Sequence, residues 1–132
     1  MYHGPGPYRM PIAMTTDDIT EVRQAFVCAA RLARDAGFDG VEIHGANGYL
    51  LDEFLTDYMN TRTDRGSVAN RVRFTAEICA DVVEEVGADI TVGVRISQGK
   101  ASDYEHRWAG ADDDGRDLQD FGPHRHRLYP YH

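Results

Sequence analysis

Only two cysteines, Cys28 and Cys79, occur in the 132 residues, and neither stands in a metal-type spacing. A disulfide framework is therefore not the expected source of stability. Both lie in helical patterns and read as small buried residues in a reducing compartment. Long apolar runs are also missing. None approaches the roughly 20 residues that a membrane span needs, and the opening MYHGPGPYRM lacks the apolar core of a signal peptide. Basic residues are few: 14 Lys and Arg against 22 Asp and Glu, for a formal charge of -8. A nucleic-acid partner is disfavoured, because phosphates want a basic face. These absences leave the cytoplasm as the expected location. What is present is ordinary for a soluble globular chain, with 42% hydrophobic and 27% charged residues. The length suits one domain with a real core.

Residues 1–14 carry Gly4, Pro5, Gly6, Pro7 and Pro11, which predicts an extended arm. Thr15 or Thr16 is placed to cap a helix whose first turn holds Asp17 and Asp18. Ile19, Val22, Phe26, Ala29, Ala30 and Ala33 recur at helical spacing, and Gly37 is a stop. DGVEIH then reads as a strand, Leu50 to about Tyr58 as a short helix, and TRTDRGSVAN as a loop. Phe74, Ile78, Val82 and Val86 mark a second long helix ended by Gly87, and DITVGVRIS a second strand. Strands joined through a helix are parallel with a right-handed crossover, so the chain is α/β. From Asp113 to His132 an acidic run and a basic aromatic end give no periodic apolar face, and this tail is expected to lack fixed structure. His124, His126 and His132 lie in it, without the preorganised geometry a metal site requires; no metal is expected.

Side chains alternate across a strand. Val41 and Ile43 share one face of DGVEIH, Glu42 and His44 the other. On the second strand Val92, Val94 and Ile96 share a face, leaving Gly93 and Arg95 together. If the apolar faces meet the helices, His44 and Arg95 point the opposite way, at the C-terminal strand ends where (β/α) barrels place active sites. Each has a plain structural reading. A histidine ending a strand is more often a hydrogen-bonded structural residue, Arg95 has Glu42 as an available ion-pair partner, and Tyr49 is an aromatic that packs with its hydroxyl in water. Taken together they describe chemistry. His44 and Asn47 are two donors able to polarise one oxygen. Tyr49 brings a hydroxyl of high pKa, suited to protonating a carbanion-like centre, and Arg95 a permanent cation one strand away. A small doubly wound nucleotide-binding domain is rejected, since neither strand is followed by G-x-G-x-x-G.

AGFDGVEIHGANGYLLDEFL, NTRTDRGSVANRVRF and VGVRIS, in that order, resemble the old yellow enzyme family of FMN-dependent NAD(P)H oxidoreductases. The likeness spans about residues 15 to 112. It implies part of a (β/α)8 TIM barrel, matching the fourth and fifth strands with their helices. It also implies hydride transfer from NAD(P)H through FMN to an activated alkene, carbonyl or nitro acceptor. By resemblance His44 and Asn47 bind the acceptor's oxygen, Tyr49 protonates its α-carbon, and Arg95 contacts the flavin. Glu42, Asp64, Asn70 and Arg71 match family positions read as structural. The family's R-x-D-x-Y-G-G-S loop is about two residues shorter here, at Asp64-Arg65-Gly66-Ser67, and the likeness ends abruptly near Asp113, as a frameshifted frame would. The competing expectation is a non-catalytic remnant that cannot hold FMN alone and oligomerises through open barrel edges.

Overall fold

A computed structural model describes residues 12–56, 59–64 and 66–100; the expected arm before residue 12 and the tail from 113 lie outside the described residues. Helix α1 spans Thr16–Asp35 and Thr15 is its cap. The Thr15 N–H donates to Asp18 Oδ2 (2.7 Å) and the Asp18 N–H to Thr15 Oγ1 (3.2 Å), a reciprocal pair that satisfies two donors the helix start leaves over. These bonds hold the Asp18 carboxyl below its ordinary value. A depressed folded-state pKa contributes stability above the unfolded value and loses it as pH falls through the folded one, so the box weakens in acid. Thr15→Ala is expected to cost about 1 kcal/mol at neutral pH in urea unfolding, and the gap between variant and parent should narrow in strong acid.

Strand β1 (Gly40–Asn47) follows, then helices α2 (Leu50–Leu55) and α3 (Val68–Val86) and strand β2 (Thr91–Lys100). β1 and β2 pair in parallel, with Val41 opposite Val92, Ile43 opposite Val94 and His44 opposite Arg95. Ile43 joins a core of Leu51, Leu55, Val72, Phe74, Ile78, Val82 and Val86, against which Val41, Val92, Val94 and Ile96 also pack. The apolar strand faces therefore meet the helices, as the alternation requires. Arg23 of α1 bonds Glu77 (2.6 Å) and Asp81 (2.7 Å) of α3, and Arg34 donates to the Glu85 carbonyl (2.7 Å). These contacts set how α1 lies on α3.

The boundaries differ from expectation for local reasons. β1 runs past His44 because the ladder continues through Gly45, opposite Ile96. A side chain at Gly45 would bring its Cβ to 3.2 Å from the Arg95 carbonyl oxygen, so glycine permits the close approach. α2 stops at Leu55, short of Tyr58. Its last carbonyls are taken by side chains, Phe54 O by Asn60 Nδ2 (2.8 Å) and Leu55 O by Arg71 Nε (3.1 Å), instead of by another turn. α3 begins inside the stretch read as loop, since Ser67 Oγ caps it by accepting the Asn70 N–H (3.2 Å). Cys79 is buried, and burial pushes its thiol up to about 11. Cys28 is only half-buried and Ala29 is exposed, because both sit at the rim of the face α1 turns inward.

Candidate functional site

The end of β1 opens into a turn that shapes everything near it. The Tyr49 N–H donates to the Ala46 carbonyl (3.2 Å) across Asn47 and Gly48. Both central residues have positive φ, 63° and 79°, the requirement of a type I′ turn and the reason Asn-Gly favours it. Asparagine tolerates the left-handed region because its short polar side chain finds local partners. Here the partner is Ser97 on β2, whose Oγ accepts the Asn47 N–H (2.8 Å) and donates to Asn47 Oδ1 (3.1 Å). The Asn47 oxygen is thereby held by Ser97, which leaves its NH2 as the donor that this contact does not use. The Gly48 N–H donates to Oδ2 of Asp52 (2.6 Å), a side chain buried in α2.

The turn delivers Tyr49 to the α2 N-cap position, where its ring meets that of His44 at 5.2 Å between centroids and 48° between planes. His44 is half-buried and Tyr49 is 57% exposed, so the phenol has one face on the imidazole and its body open to a ligand. Arg95 is exposed at the register position beside His44. Among the described residues no ion pair joins it to Glu42, which is also exposed. The plain reading of Arg95 as one half of a structural ion pair with Glu42 is thus overturned. Both side chains face away from the helices, and neither is drawn to the other. One layer down, a Cβ at Gly93 would make only an ordinary contact, with the Val41 carbonyl at 3.9 Å.

Residues 59–64 are tied by side-chain bonds. Arg62 donates to Asp64 (3.0 and 3.1 Å) and to the Met14 carbonyl (2.8 Å), and its guanidinium lies 5.9 Å from the Phe54 ring centre. The Arg62 bond holds the Asp64 carboxyl below its usual range. Asn70 accepts from Arg73 and Arg71 holds the Leu55 carbonyl, structural duties for both. The described residues contain no group of three or more His, Cys, Asp or Glu side chains placed to hold a metal ion. Two members of the site were missed in the sequence, Ser97 and Asp52. The signal for Ser97 was a hydroxyl two positions past Arg95 on the strand that pairs with β1, and for Asp52 an acid in the first turn of the helix after an Asn-Gly pair.

His44, Asn47, Tyr49 and Arg95 gather at the C-terminal ends of adjacent parallel strands, with helices on the opposite face, which is where barrel folds carry their sites. The family comparison agrees. Residues 5–113 match the model of the NADH:flavin oxidoreductase / NADH oxidase family, and the chain belongs to it. It is 52% identical over 92 residues to 12-oxophytodienoate reductase 1 of Oryza sativa subsp. japonica, covering 68% of this chain and 24% of that protein. It is 53% identical over 89 residues to the flavin oxidoreductase hxnT of Emericella nidulans, covering 66% and 23%. The old yellow enzyme homologue from Zymomonas mobilis superposes with a TM-score of 0.66 at 40% identity, over 74% of this chain and 28% of that one. The architecture is therefore part of an old yellow enzyme barrel, and the chain spans about a quarter of the length of the curated relatives it matches.

Proposed function

We propose that this chain carries the acceptor-binding and proton-donating part of an FMN-dependent oxidoreductase. The reaction is hydride transfer from NAD(P)H through FMN to an activated alkene, carbonyl or nitro acceptor. The observation that carries the reading is the His44–Tyr49 ring contact beside an Asn47 whose amide oxygen is held by Ser97. In it, His44 and Asn47 donate to the acceptor's oxygen and stabilise the negative charge that builds there. Tyr49 then gives its hydroxyl proton to the acceptor's α-carbon. FMN, when bound, supplies the hydride. Arg95 fits such a group: it is an exposed guanidinium without a carboxylate partner among the described residues, at the register position beside His44. Residues 15–112 are the barrel part in this reading. The location is cytoplasmic; no helix among the described residues is long and apolar enough to cross a membrane.

The test supplies the remaining strands from the Zymomonas mobilis homologue, with residues 15–100 of this chain replacing the matched segment. His44→Ala combined with Asn47→Ala should weaken a phenolate ligand by roughly 100-fold or more, since a hydrogen bond to a charged group contributes about 1.5–3 kcal/mol. Unchanged phenolate affinity would refute the donor assignment. A second reading rests on the sheet itself. Among the described residues it has two strands, so each has an unpaired outer edge. On that reading the 132 residues alone are non-catalytic and self-associate through those edges.

A further inference from the structure

Asn-Gly is the dipeptide least shielded against succinimide formation, because glycine has no side chain to cover its nitrogen. In that reaction the Gly48 nitrogen attacks Asn47 Cγ and a C–N bond forms. The Cγ–Nδ2 bond breaks, and ammonia leaves with the proton that the Gly48 nitrogen gives up. Water then opens the ring to aspartate or isoaspartate. Asn47 and Gly48 are only half-buried, so water reaches them. We propose that the fold keeps Asn47–Gly48 closed to this chemistry, with Asp52 and Ser97 as the two residues of the lock.

Each residue restrains one reacting atom. The nucleophile must shed its proton, and that proton is engaged by Asp52 Oδ2 at 2.6 Å, on a side chain that is 1% exposed and fixed in α2. The electrophile must swing over the Gly48 nitrogen, which follows Asn47 in the chain. Ser97 draws it the other way, since its one hydroxyl takes the Asn47 N–H (2.8 Å) and gives a hydrogen bond to Asn47 Oδ1 (3.1 Å). A side chain folded back toward its own N–H is not available to the next one. The Tyr49-to-Ala46 turn bond (3.2 Å) holds the intervening backbone in place. The lock has a consequence that rests on the proposed function: deamidation would replace the Asn47 NH2 donor by a carboxylate, which repels the acceptor's anionic oxygen instead of binding it.

The 132-residue chain itself serves for the test, and no flavin is needed, so the outcome is independent of the catalytic reading. Samples are held at mildly alkaline pH, folded or in urea, and residue 47 is followed by peptide mass mapping with isoaspartate detection. The folded chain should deamidate at residue 47 roughly tenfold or more slowly than the unfolded chain, because two hydrogen bonds must open first. Ser97→Ala, with its helical circular dichroism intact, should raise the folded rate about two- to tenfold, the effect of one net hydrogen bond. Ser97→Thr keeps the hydroxyl and should stay near the parent rate. Equal rates in folded and unfolded parent, or no acceleration in folded Ser97→Ala, would overturn the lock. Should Ser97→Ala unfold, amide exchange of Gly48 in the parent chain decides. Protection supports the lock, and exchange at the rate of an open peptide removes it.

Discussion

Tyr49→Phe, in the barrel completed with the Zymomonas mobilis strands, is expected to slow acceptor reduction by about 10²–10⁴-fold, the usual worth of a positioned general acid. Reduction of the flavin by the nicotinamide should stay nearly unchanged. The two half-reactions make different demands on this residue. Only acceptor reduction consumes a proton at carbon, and in the proposed reading its donor is the Tyr49 hydroxyl, which the α2 N-cap position places beside His44. The substitution removes the hydroxyl and keeps the ring, so the 5.2 Å contact with His44 and the turn that sets it survive. Loss of packing is thereby separated from loss of acid. Stopped-flow measurement of each half-reaction is the check. The opposite pattern, with flavin reduction abolished and acceptor reduction spared, would show that the roles are wrongly assigned.

Added FMN should keep its full fluorescence when titrated with the 132-residue chain alone. What the described residues offer the flavin is one exposed arginine at the end of a two-stranded sheet. A charge contact so near water contributes about 0–1 kcal/mol, whereas micromolar affinity needs about 8 kcal/mol. The face that carries His44, Glu42 and Arg95 lies opposite the helices, so the described residues do not exclude water from a ring placed there. His44, Asn47 and Tyr49 are positioned toward each other but not toward a bound ring, and orientation of that kind is a large part of catalysis. No flavin-dependent oxidation of NAD(P)H should be measurable either. Saturable quenching at low micromolar protein, with one flavin per chain or per oligomer, would refute this and favour a site completed by pairing of the open edges.

Much of this arrangement was legible without coordinates. Period-two alternation in β1 and β2 is a local property of the chain, so the division into a helix-facing set (Val41, Ile43, Val92, Val94, Ile96) and an opposite set (His44, Arg95) followed from the residue order. The same holds for a threonine cap at Thr15 or Thr16, which the structure places at Thr15, and for the Gly37 and Gly87 stops, all of which act within one turn. His44, Asn47 and Tyr49 fall within six residues, and their grouping needed no long-range information. Only the tertiary structure decided the rest, because it depends on partners distant in sequence. The hydrogen bond that holds the Asn47 oxygen comes from Ser97, fifty residues further on. The early end of α2 comes from Asn60 and Arg71 capturing its carbonyls, and the lack of an Arg95–Glu42 pair from how two exposed side chains lie on one face. Periodicity says which face a side chain occupies. Which atom it then touches is set by where another segment is brought in packing, and that is a property of the folded chain alone.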